Sequence, residues 1–261
     1  AALATVISQA VGAVWILRFL TGDKTILKLK MCNLRLKADI IGPCLALGIS
    51  SFVMMSTESI LSISFTSSLS KFGGDVAVGA MTIITSTNQL VVMPVQGICQ
   101  GAQPIISYNY GANKKDRVKK AFFLQFKICV IFTCISWLVM MLFPQIFAGM
   151  FTADASLVSY TSWALRIYMA GIFALGFQVS CQQGFMALGQ AKVSLVMACL
   201  RKLILLIPLI FILPRFLSDK VFAVFLAEPI SDILAATVTT ITFFMRFDKI
   251  LEVGVQVKKG D

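Results

Sequence analysis

The chain has 261 residues, of which 58% are hydrophobic and 13% are charged, and it contains no histidine. About a quarter of the residues in a soluble domain are charged, so this composition excludes an ordinary water-soluble domain. The absence of histidine excludes imidazole as a catalytic base or a metal ligand. The net charge of +11 would suggest nucleic-acid binding in a soluble chain, but in a membrane protein the bases must first be assigned to the two membrane faces.

Seven segments are apolar over enough residues, about 20, to cross a hydrocarbon core of roughly 30 Å. The second and third contain many polar residues, which predicts that these two helices face a cavity or one another. We therefore predict an all-α fold, a polytopic transmembrane helix bundle. The predicted spans are 1–20, 43–69, 76–100, 121–144, 158–187, 196–214 and 221–245.

The bases are distributed unequally between the two sides of this bundle. The segments 21–42 and 107–120 carry five Lys or Arg residues each, and the C-terminal tail carries four. The connections on the opposite side carry only Lys71, Arg215 and Lys220. Because cytoplasmic loops are enriched in Lys and Arg, we predict a multi-pass protein of the inner (plasma) membrane with a cytoplasmic C-terminus and no nucleic-acid partner.

The segment 21–42 interleaves apolar residues with its five bases. This pattern suits a helix that lies on the inner leaflet, where its bases meet anionic membrane lipid. A solvated basic linker between two bundles explains the pattern equally well. On either interpretation this is the longest basic segment between spans, and it is the best candidate for a boundary.

Glu58 lies about midway along the second predicted span, among hydroxyl residues. Ionisable residues inside a span are costly and usually functional, and a buried carboxylate can bind a proton or a cation. The alternative is an internal ion pair with Arg166, Arg201 or Lys202. We expect Arg201 and Lys202 to extend to the cytoplasmic interface, and Arg166, deeper in its span, to neutralise an acid.

Glu228 and Asp232 lie in the last predicted span, four residues apart and therefore on one helical face. Pro229 between them removes one backbone hydrogen bond and is a candidate kink. A cation-binding role and a purely structural role are both open for this pair: Asp232 could pair with a base on a neighbouring helix, and Glu228 could lie near the outer interface.

The remaining polar and sulfur-containing residues of the spans give weaker signals. Asn88 and Gln89 in the third span are candidate polar residues of a cavity. The seven cysteines include no CxxC pair, and without histidine they predict small buried residues in a reducing cell and no metal site.

The third span ends in PVQGICQGAQPIISYNYGANKKDRVKKAF. Its Gly and Pro residues between 94 and 104 predict an interrupted, tightly packed helix end, and Asn109, Gly111 and Asn113 predict a turn before a basic helix start. The segment QGAQPIISYNYGA, residues 100–112, resembles a signature of the multidrug and toxic compound extrusion (MATE) family of transporters. In that family it joins the eighth and ninth helices of a twelve-helix, two-lobed fold.

The resemblance extends along the chain. ALATVISQ resembles the sixth helix of the family, GFMALGQAK the end of the tenth, and EPISDILA the twelfth. It implies that the chain is a fragment, one lobe of a two-lobed transporter plus one helix of the other lobe, with the missing N-terminal lobe as a partner. The implied division is the last helix of the N-terminal lobe at 1–20, a basic cytoplasmic connection at 21–42, the C-terminal six-helix lobe at 43–246 and a cytoplasmic tail at 247–261.

The resemblance implies an antiporter, not an enzyme, that exports cationic or aromatic drugs and toxic compounds in exchange for H⁺ or Na⁺ and needs no cofactor. Many members have an acid at the position of Glu58, proposed to bind the coupling cation or the substrate. Met81 stands at a position where some members have a glutamine, so that polar contact is absent. Phe177 or its neighbour stands where other members have an aspartate that binds the cation. The resemblance therefore does not decide between H⁺ and Na⁺ as the coupling ion. The candidate residues for binding a cation or a small organic cation substrate are Glu58, Asn88, Gln89, Glu228 and Asp232.

Three other functions fit parts of the sequence. A flippase of lipid-linked sugars would share the fold but should have a more cationic cavity, which Arg166, Arg201 and Lys202 could begin to supply. A seven-helix receptor matches the span count, but a retinal protein needs a lysine in the last span, where none occurs. A soluble enzyme fits least, because the sequence has no phosphate-binding glycine loop, nucleophile elbow or metal-ligand spacing.

Overall fold

A computed structural model describes residues 2–22 and 38–256. Most of the basic segment 21–42 lies outside the described residues, and so do residues 257–261 of the predicted tail. The structure therefore does not test whether that segment is a surface helix or a linker. The described residues are helices and turns without any strand, which confirms the predicted all-α fold. The chain divides into two compact units, residues 1–51 and 52–261.

Helix α1, Ala2–Thr21, belongs to the first unit and coincides with the first predicted span. Its apolar part, Thr5–Thr21, is somewhat shorter than the roughly 20 residues of a typical span. The hydroxyl of Thr21 donates to the carbonyl of Leu17 at 2.9 Å, so the last turn of the helix satisfies its own polar side chain.

Helix α2, Ala38–Gly111, is broken at Gly74, where φ is 65° and ψ is −161°. Only glycine adopts this backbone conformation readily. The break falls between the spans predicted at 43–69 and 76–100. Beyond it the helix continues through Pro94 and Pro104, and no described atom lies within 4 Å of a Cβ placed at Gly97 or Gly101. The predicted interruption is therefore wrong here, and so is tight packing at Gly97 and Gly101 within the described chain, because helices of a membrane bundle tolerate proline and the space beside these two glycines is open.

The rest of the chain consists of helices joined by short turns. Asn113, with φ of 56°, forms the predicted turn after α2. By length and composition, four helical stretches of the described chain could cross a membrane, and a bent pair makes a fifth. The helices are α3 Lys115–Leu142, α4 Pro144–Gly149, α5 Ala155–Tyr168, α6 Phe173–Ala187, α7 Ala191–Cys199, α8 Ile207–Phe216 and α9 Lys220–Gln256.

The bent pair is α5 and α6, which the sequence predicted as one span over 158–187. A 3₁₀ turn at Met169–Gly171 separates them, and their axes differ by 44°. A Cβ on Gly171 would stand 2.7 Å from the Cα of Pro229, so this turn lies directly against α9. Helix α9 itself runs unbroken through Pro229 and ends at Gln256, so residues 247–256 of the predicted tail are helical.

An aromatic cluster joins α3, α6 and α9. The buried rings of Phe122 and Phe243 stack with their centroids 4.5 Å apart, and Gly184 on α6 lies against both. At the same end of the bundle the hydroxyl of Tyr110 donates to the carbonyl of Ile250 at 3.3 Å. Because α9 has 37 residues and rises by 1.5 Å per residue, roughly 55 Å, the α8–α9 turn lies at the opposite end from the α2–α3 turn.

Two aspartates cap helices outside the spans. Asp154 Oδ1 accepts hydrogen bonds from the hydroxyl and the backbone N–H of Ser156, at 2.8 and 2.9 Å, and these bonds hold the pKa of Asp154 below its usual value. Asp219 Oδ1 accepts from the backbone N–H groups of Val221 and Phe222, at 3.1 and 3.0 Å. Both carboxylates therefore satisfy backbone donors that a helix start leaves without partners.

Candidate functional site

Arg201 and Lys202 lie in a widened turn between α7 and α8. The segment Leu200–Leu206 is π-helical, and Pro208 lies two residues after its end. Proline supplies no N–H and crowds the preceding turn, and π-helical turns occur frequently at functional sites. The hydroxyl of Ser231 on α9 donates to the carbonyl of Arg201 at 2.9 Å, which ties the widened turn to α9.

The Arg201 guanidinium bridges the two acids of α9. Nε and Nη2 lie 2.7 and 2.6 Å from Asp232 Oδ1, and Nη2 lies 3.2 Å from Glu228 Oε1. All three side chains are largely buried, with the Arg201 side chain 15% exposed. Glu228 and Asp232 share a helical face as predicted, and that face presents both carboxylates to one base.

This arrangement corrects two expectations. Arg201 does not extend to the cytoplasmic interface, because two buried carboxylates on one face require a counter-charge within reach and Arg201 supplies it. Glu228 does not lie at an outer interface, since the residue is only 5% exposed inside the bundle. In the structure Asp232 pairs with a base of a neighbouring segment, Arg201, which was one of the alternatives left open for it.

Lys202 points into the bundle as well, and its ammonium forms an ion pair with Glu58 Oε1. The Glu58 side chain remains 58% exposed, whereas the Lys202 side chain is 21% exposed. The expectation that Lys202 extends to the cytoplasmic interface is therefore also wrong. Glu58 is paired with a base, as the structural alternative required, yet more than half of its side chain stays exposed.

Arg166 differs from the other two bases. It is exposed, and within the described part of the chain it forms no ion pair, so the expectation that it neutralises an acid is wrong there. The helix rotation that points its neighbour Leu165 into the core turns Arg166 outward. We call the remaining five residues the charged cluster: Glu58, Arg201, Lys202, Glu228 and Asp232.

Four residues of the charged cluster, all except Asp232, line a cavity of about 550 Å³, the central cavity, within the second unit. Both halves of α2, the bent pair α5–α6, the widened turn and α9 contribute to its lining. Asp232 lies behind Arg201 and does not line it. The predicted candidates that do line it are Glu58, Asn88, Gln89 and Glu228.

Several lining residues were not predicted as site residues. They give the cavity an amide-rich wall with aromatic and thioether surfaces, and two acceptor atoms, Gln178 Oε1 and Glu228 Oε2, are buried without a partner among the described residues. The spacing of Gln178 and Gln182, four apart inside an apolar span, was a signal that could have revealed this wall. The unpredicted residues are Gln96, Gln178, Gln182, Gln183, Phe65, Tyr168 and Met81.

The positions carried over from the family resemblance occupy different surroundings. Met81 lines the central cavity. Phe177 packs edge-on against Phe126, with 5.5 Å between the ring centroids, and its neighbour Gln178 faces the cavity. An uncharged amide therefore stands in the cavity wall near the place where some members have an aspartate.

Comparisons with curated proteins agree with this fold. The Multidrug export protein MepA of Staphylococcus aureus (strain N315) is 24% identical over 240 residues, which cover 90% of this chain and 52% of that protein. The protein of the same description in Staphylococcus saprophyticus is 22% identical over 237 residues, with the same coverage. The chain thus spans about half the length of the curated relatives it matches.

Solved structures and a family model complete the comparison. A MATE structure in the bent conformation has a TM-score of 0.85 at 20% identity and covers 97% of this chain and 56% of that one. The MATE multidrug transporter DinF-BH has a TM-score of 0.79 at 33% identity, over 93% of this chain and 54% of that one. The MatE family model matches residues 50–212, well over half of the sequence. On this match, with the signature at residues 100–112 and the shared fold, the chain belongs to the MATE family.

Proposed function

We propose that the protein is a secondary active antiporter that exports cationic, partly aromatic compounds in exchange for H⁺ or Na⁺. The observation that carries the proposal is the composition of the central cavity: an accessible carboxylate, Glu58, lines the same space as several amides and as the edges of two largely buried rings, Phe65 and Tyr168. Aromatic rings and carboxylates are the groups that attract a flat organic cation. The description of the relatives, multidrug export protein, agrees with such cargo.

The sign of the charged cluster supports a cationic ligand. With every group ionised, Glu58, Glu228 and Asp232 outnumber Arg201 and Lys202 by one charge, and both bases already have acid partners. A flippase of lipid-linked sugars would need bases free to hold phosphate, and the central cavity offers none among the described residues. The antiporter is therefore the better-supported function.

Lys202 acts in this proposal as an internal cation that occupies Glu58 when no other cation is bound. Its ammonium is tethered and largely buried, whereas Glu58 keeps an accessible surface on which a proton, Na⁺ or cargo can approach. An incoming cation would displace Lys202 from the carboxylate. Cargo and the coupling cation would compete for Glu58 in the same way, because one carboxylate cannot neutralise both at once. This competition would couple export of the cargo to entry of the coupling cation.

The pair on α9 has a supporting role in the proposal. Arg201 holds Asp232 and Glu228, and it adjoins Lys202 in the same widened turn. Glu228 Oε2, buried at the cavity wall, offers a second acceptor to a cation that has left Glu58. Export against a gradient then follows if cargo and coupling cation favour opposite orientations of the transporter.

The test is uphill efflux of ethidium by the full-length protein carrying Glu58→Gln. The substitution keeps the shape of the side chain and removes the charge, so uphill efflux should be lost while expression and fold are retained. Glu252→Gln is the matched control, because Glu252 is an exposed glutamate near the far end of α9 and outside the cavity lining.

Undiminished uphill efflux in Glu58→Gln would remove Glu58 from the mechanism. Translocation of a lipid-linked sugar by the same protein, with no efflux of ethidium, would replace the antiporter by the flippase. The coupling ion is identified with the full-length protein reconstituted in vesicles. A proton gradient or a Na⁺ gradient is imposed alone, and the one that drives ethidium efflux identifies the ion.

A further inference from the structure

A second cavity of about 630 Å³ opens at the end of the bundle that carries the α8–α9 turn. We call it the basic pocket, because Lys71, Arg215 and Lys220 all line it. Lys71 comes from α2, just before the break at Gly74, and Arg215 and Lys220 flank the α8–α9 turn. The sequence identified these three as the few bases of one membrane face, and the folded chain gathers all of them in one pocket.

The three bases are not neutralised. Within the described residues none of them forms an ion pair, and all three are exposed. Lys71 Nζ and Lys220 Nζ lie 5.6 and 5.4 Å from the centre of the same Phe72 ring, so one aromatic side chain contacts both ammonium groups. The three bases line one pocket, and their mutual repulsion favours an anion bound among them.

The acids at this end of the bundle do not supply that anion. Asp219 Oδ1 is engaged by the backbone N–H groups at the start of α9. Asp75, next to the break in α2, is exposed and does not line the pocket. The charge of the pocket is therefore +3, with no carboxylate in its lining.

The pocket is amphipathic as well as basic. Ile210 is fully buried at its floor and Pro214 is buried beside it, while the Phe211 side chain is half exposed. The hydroxyl-bearing residues Ser67 and Ser68 complete the α2 side. A ligand that fits all of these surfaces has an anionic head for the bases and hydrocarbon for the exposed side of α8.

We propose that the basic pocket binds the phosphate group of an anionic phospholipid, with Lys71, Arg215 and Lys220 holding the phosphate and an acyl chain lying along α8. Anionic lipid attracts nearby bases electrostatically at either membrane face. These three bases lie on the face predicted to be opposite the cytoplasm, so the phospholipid would come from the outer leaflet. A bound lipid would bridge α2 to the α8–α9 turn, and it should therefore stabilise the bundle. This site is independent of the central cavity and of its cargo.

The experiment compares the full chain in nanodiscs of phosphatidylcholine alone and in nanodiscs of phosphatidylcholine and phosphatidylglycerol in equal parts. The measurements are the midpoint of thermal unfolding and, by native mass spectrometry, the number of phosphatidylglycerol molecules that stay bound. We expect phosphatidylglycerol to raise the midpoint and one molecule to be retained. Each base near an anionic surface contributes roughly fivefold in affinity, so the triple variant Lys71→Gln, Arg215→Gln, Lys220→Gln should bind phosphatidylglycerol about a hundredfold more weakly.

The matched control is the triple variant Lys114→Gln, Arg117→Gln, Lys120→Gln. It also removes two lysines and one arginine, all exposed, but at the opposite end of the bundle. This control should keep both the retained lipid and the raised midpoint. Equal losses in the two triple variants would overturn the site, because they would reflect total charge and not the pocket.

A single variant and a phosphate control test the site further. The single variant Arg215→Gln leaves two bases in place and should weaken retention by roughly fivefold, and unchanged retention would contradict the proposal. Inorganic phosphate, added to the phosphatidylcholine nanodiscs, should leave the midpoint unchanged. If inorganic phosphate alone raised it as much as phosphatidylglycerol does, the pocket would be a site for free phosphate and the assignment to lipid would be wrong.

Discussion

The central cavity and the basic pocket differ in whether their bases are paired with acids. In the central cavity, Arg201 and Lys202 are turned into the bundle and each has a carboxylate partner. In the basic pocket, three bases converge on one space without an acid. The difference follows from depth: a charge inside the bundle is tolerated only with a partner, whereas a charge at the end of the bundle is solvated and can remain unpaired.

The comparison separates two kinds of ligand. A cavity whose two bases are already paired, and whose charged cluster has one acid more than it has bases, suits a cation. A pocket of unpaired bases with an apolar floor suits an anion that carries hydrocarbon. The same chain can therefore bind ligands of opposite charge at two places, and variants of one place should leave the other unaffected.

The largest effect should come from breaking the buried end of the charged cluster. Arg201→Gln leaves Glu228 and Asp232 on one face without a counter-charge, and loss of one partner from a buried ion pair costs about 3–5 kcal/mol. Thermal unfolding in detergent should show a large drop in midpoint. Arg215→Gln, the same substitution in the basic pocket, should change stability by no more than about 0.5 kcal/mol.

A neutral version of the cluster sharpens that test. Arg201→Gln combined with Glu228→Gln and Asp232→Asn removes all three charges together, and it should recover most of the lost stability because no carboxylate is then left without a counter-charge. Equal stability losses in Arg201→Gln and Arg215→Gln would contradict the distinction between the two regions.

A smaller effect should come from adding volume beside the cluster. Gly171→Ala places a Cβ 2.7 Å from the Cα of Pro229, next to Glu228, and overpacking of this kind costs about 1–3 kcal/mol. Gly97→Ala is the control, since no described atom lies within 4 Å of its added Cβ. That control should be neutral or slightly stabilising, because alanine favours a helix interior over glycine. A midpoint for Gly171→Ala as high as that of the control would show that the 3₁₀ turn can move away from α9.

The smallest effect should come from freeing Glu58. Lys202→Gln removes the internal cation, and a partly exposed ion pair is worth about 1 kcal/mol, so ethidium should bind the full-length protein roughly fivefold more tightly. Binding is measured by fluorescence titration of the purified protein. Lys192→Gln, an exposed lysine at the start of the same span, is the control and should bind as wild type does. Unchanged or weaker binding in Lys202→Gln would mean that Lys202 does not compete for Glu58.

The positions of the helices at the predicted spans and of the main turn could be read directly from the sequence, although the apolar part of α1 is shorter than a typical span and the fifth predicted span is bent. The gap between the second and third spans contains Gly74, the residue at which α2 breaks, and the turn around Asn113 lies where the motif predicted it. Glu228 and Asp232 share a face because a spacing of four brings two residues onto the same side of any α-helix. These features depend on local sequence alone, so no tertiary information was needed.

The errors concern the rotation of helices about their axes and the irregular turns. Arg166 was expected inside and is exposed, while Arg201 and Lys202 were expected at the interface and lie inside. A helix that is apolar on every side gives no signal about which side faces the bundle. The widened turn at Leu200–Leu206 and the bend at Met169–Gly171 both contact α9, and the local sequence does not predict which helix lies beside them.

By itself, the sequence determined that this is an all-α membrane protein of the MATE family, roughly where its apolar helices lie, and which acids and bases they contain. Those properties follow from hydropathy, charge and a local motif, each of which acts over a few turns of helix. Only the tertiary structure decided which acid meets which base and that Lys71, Arg215 and Lys220 share one pocket. The reason is geometric: an ion pair or a pocket requires side chains of separate helices within a few ångströms, and that depends on how the helices are turned and packed against one another.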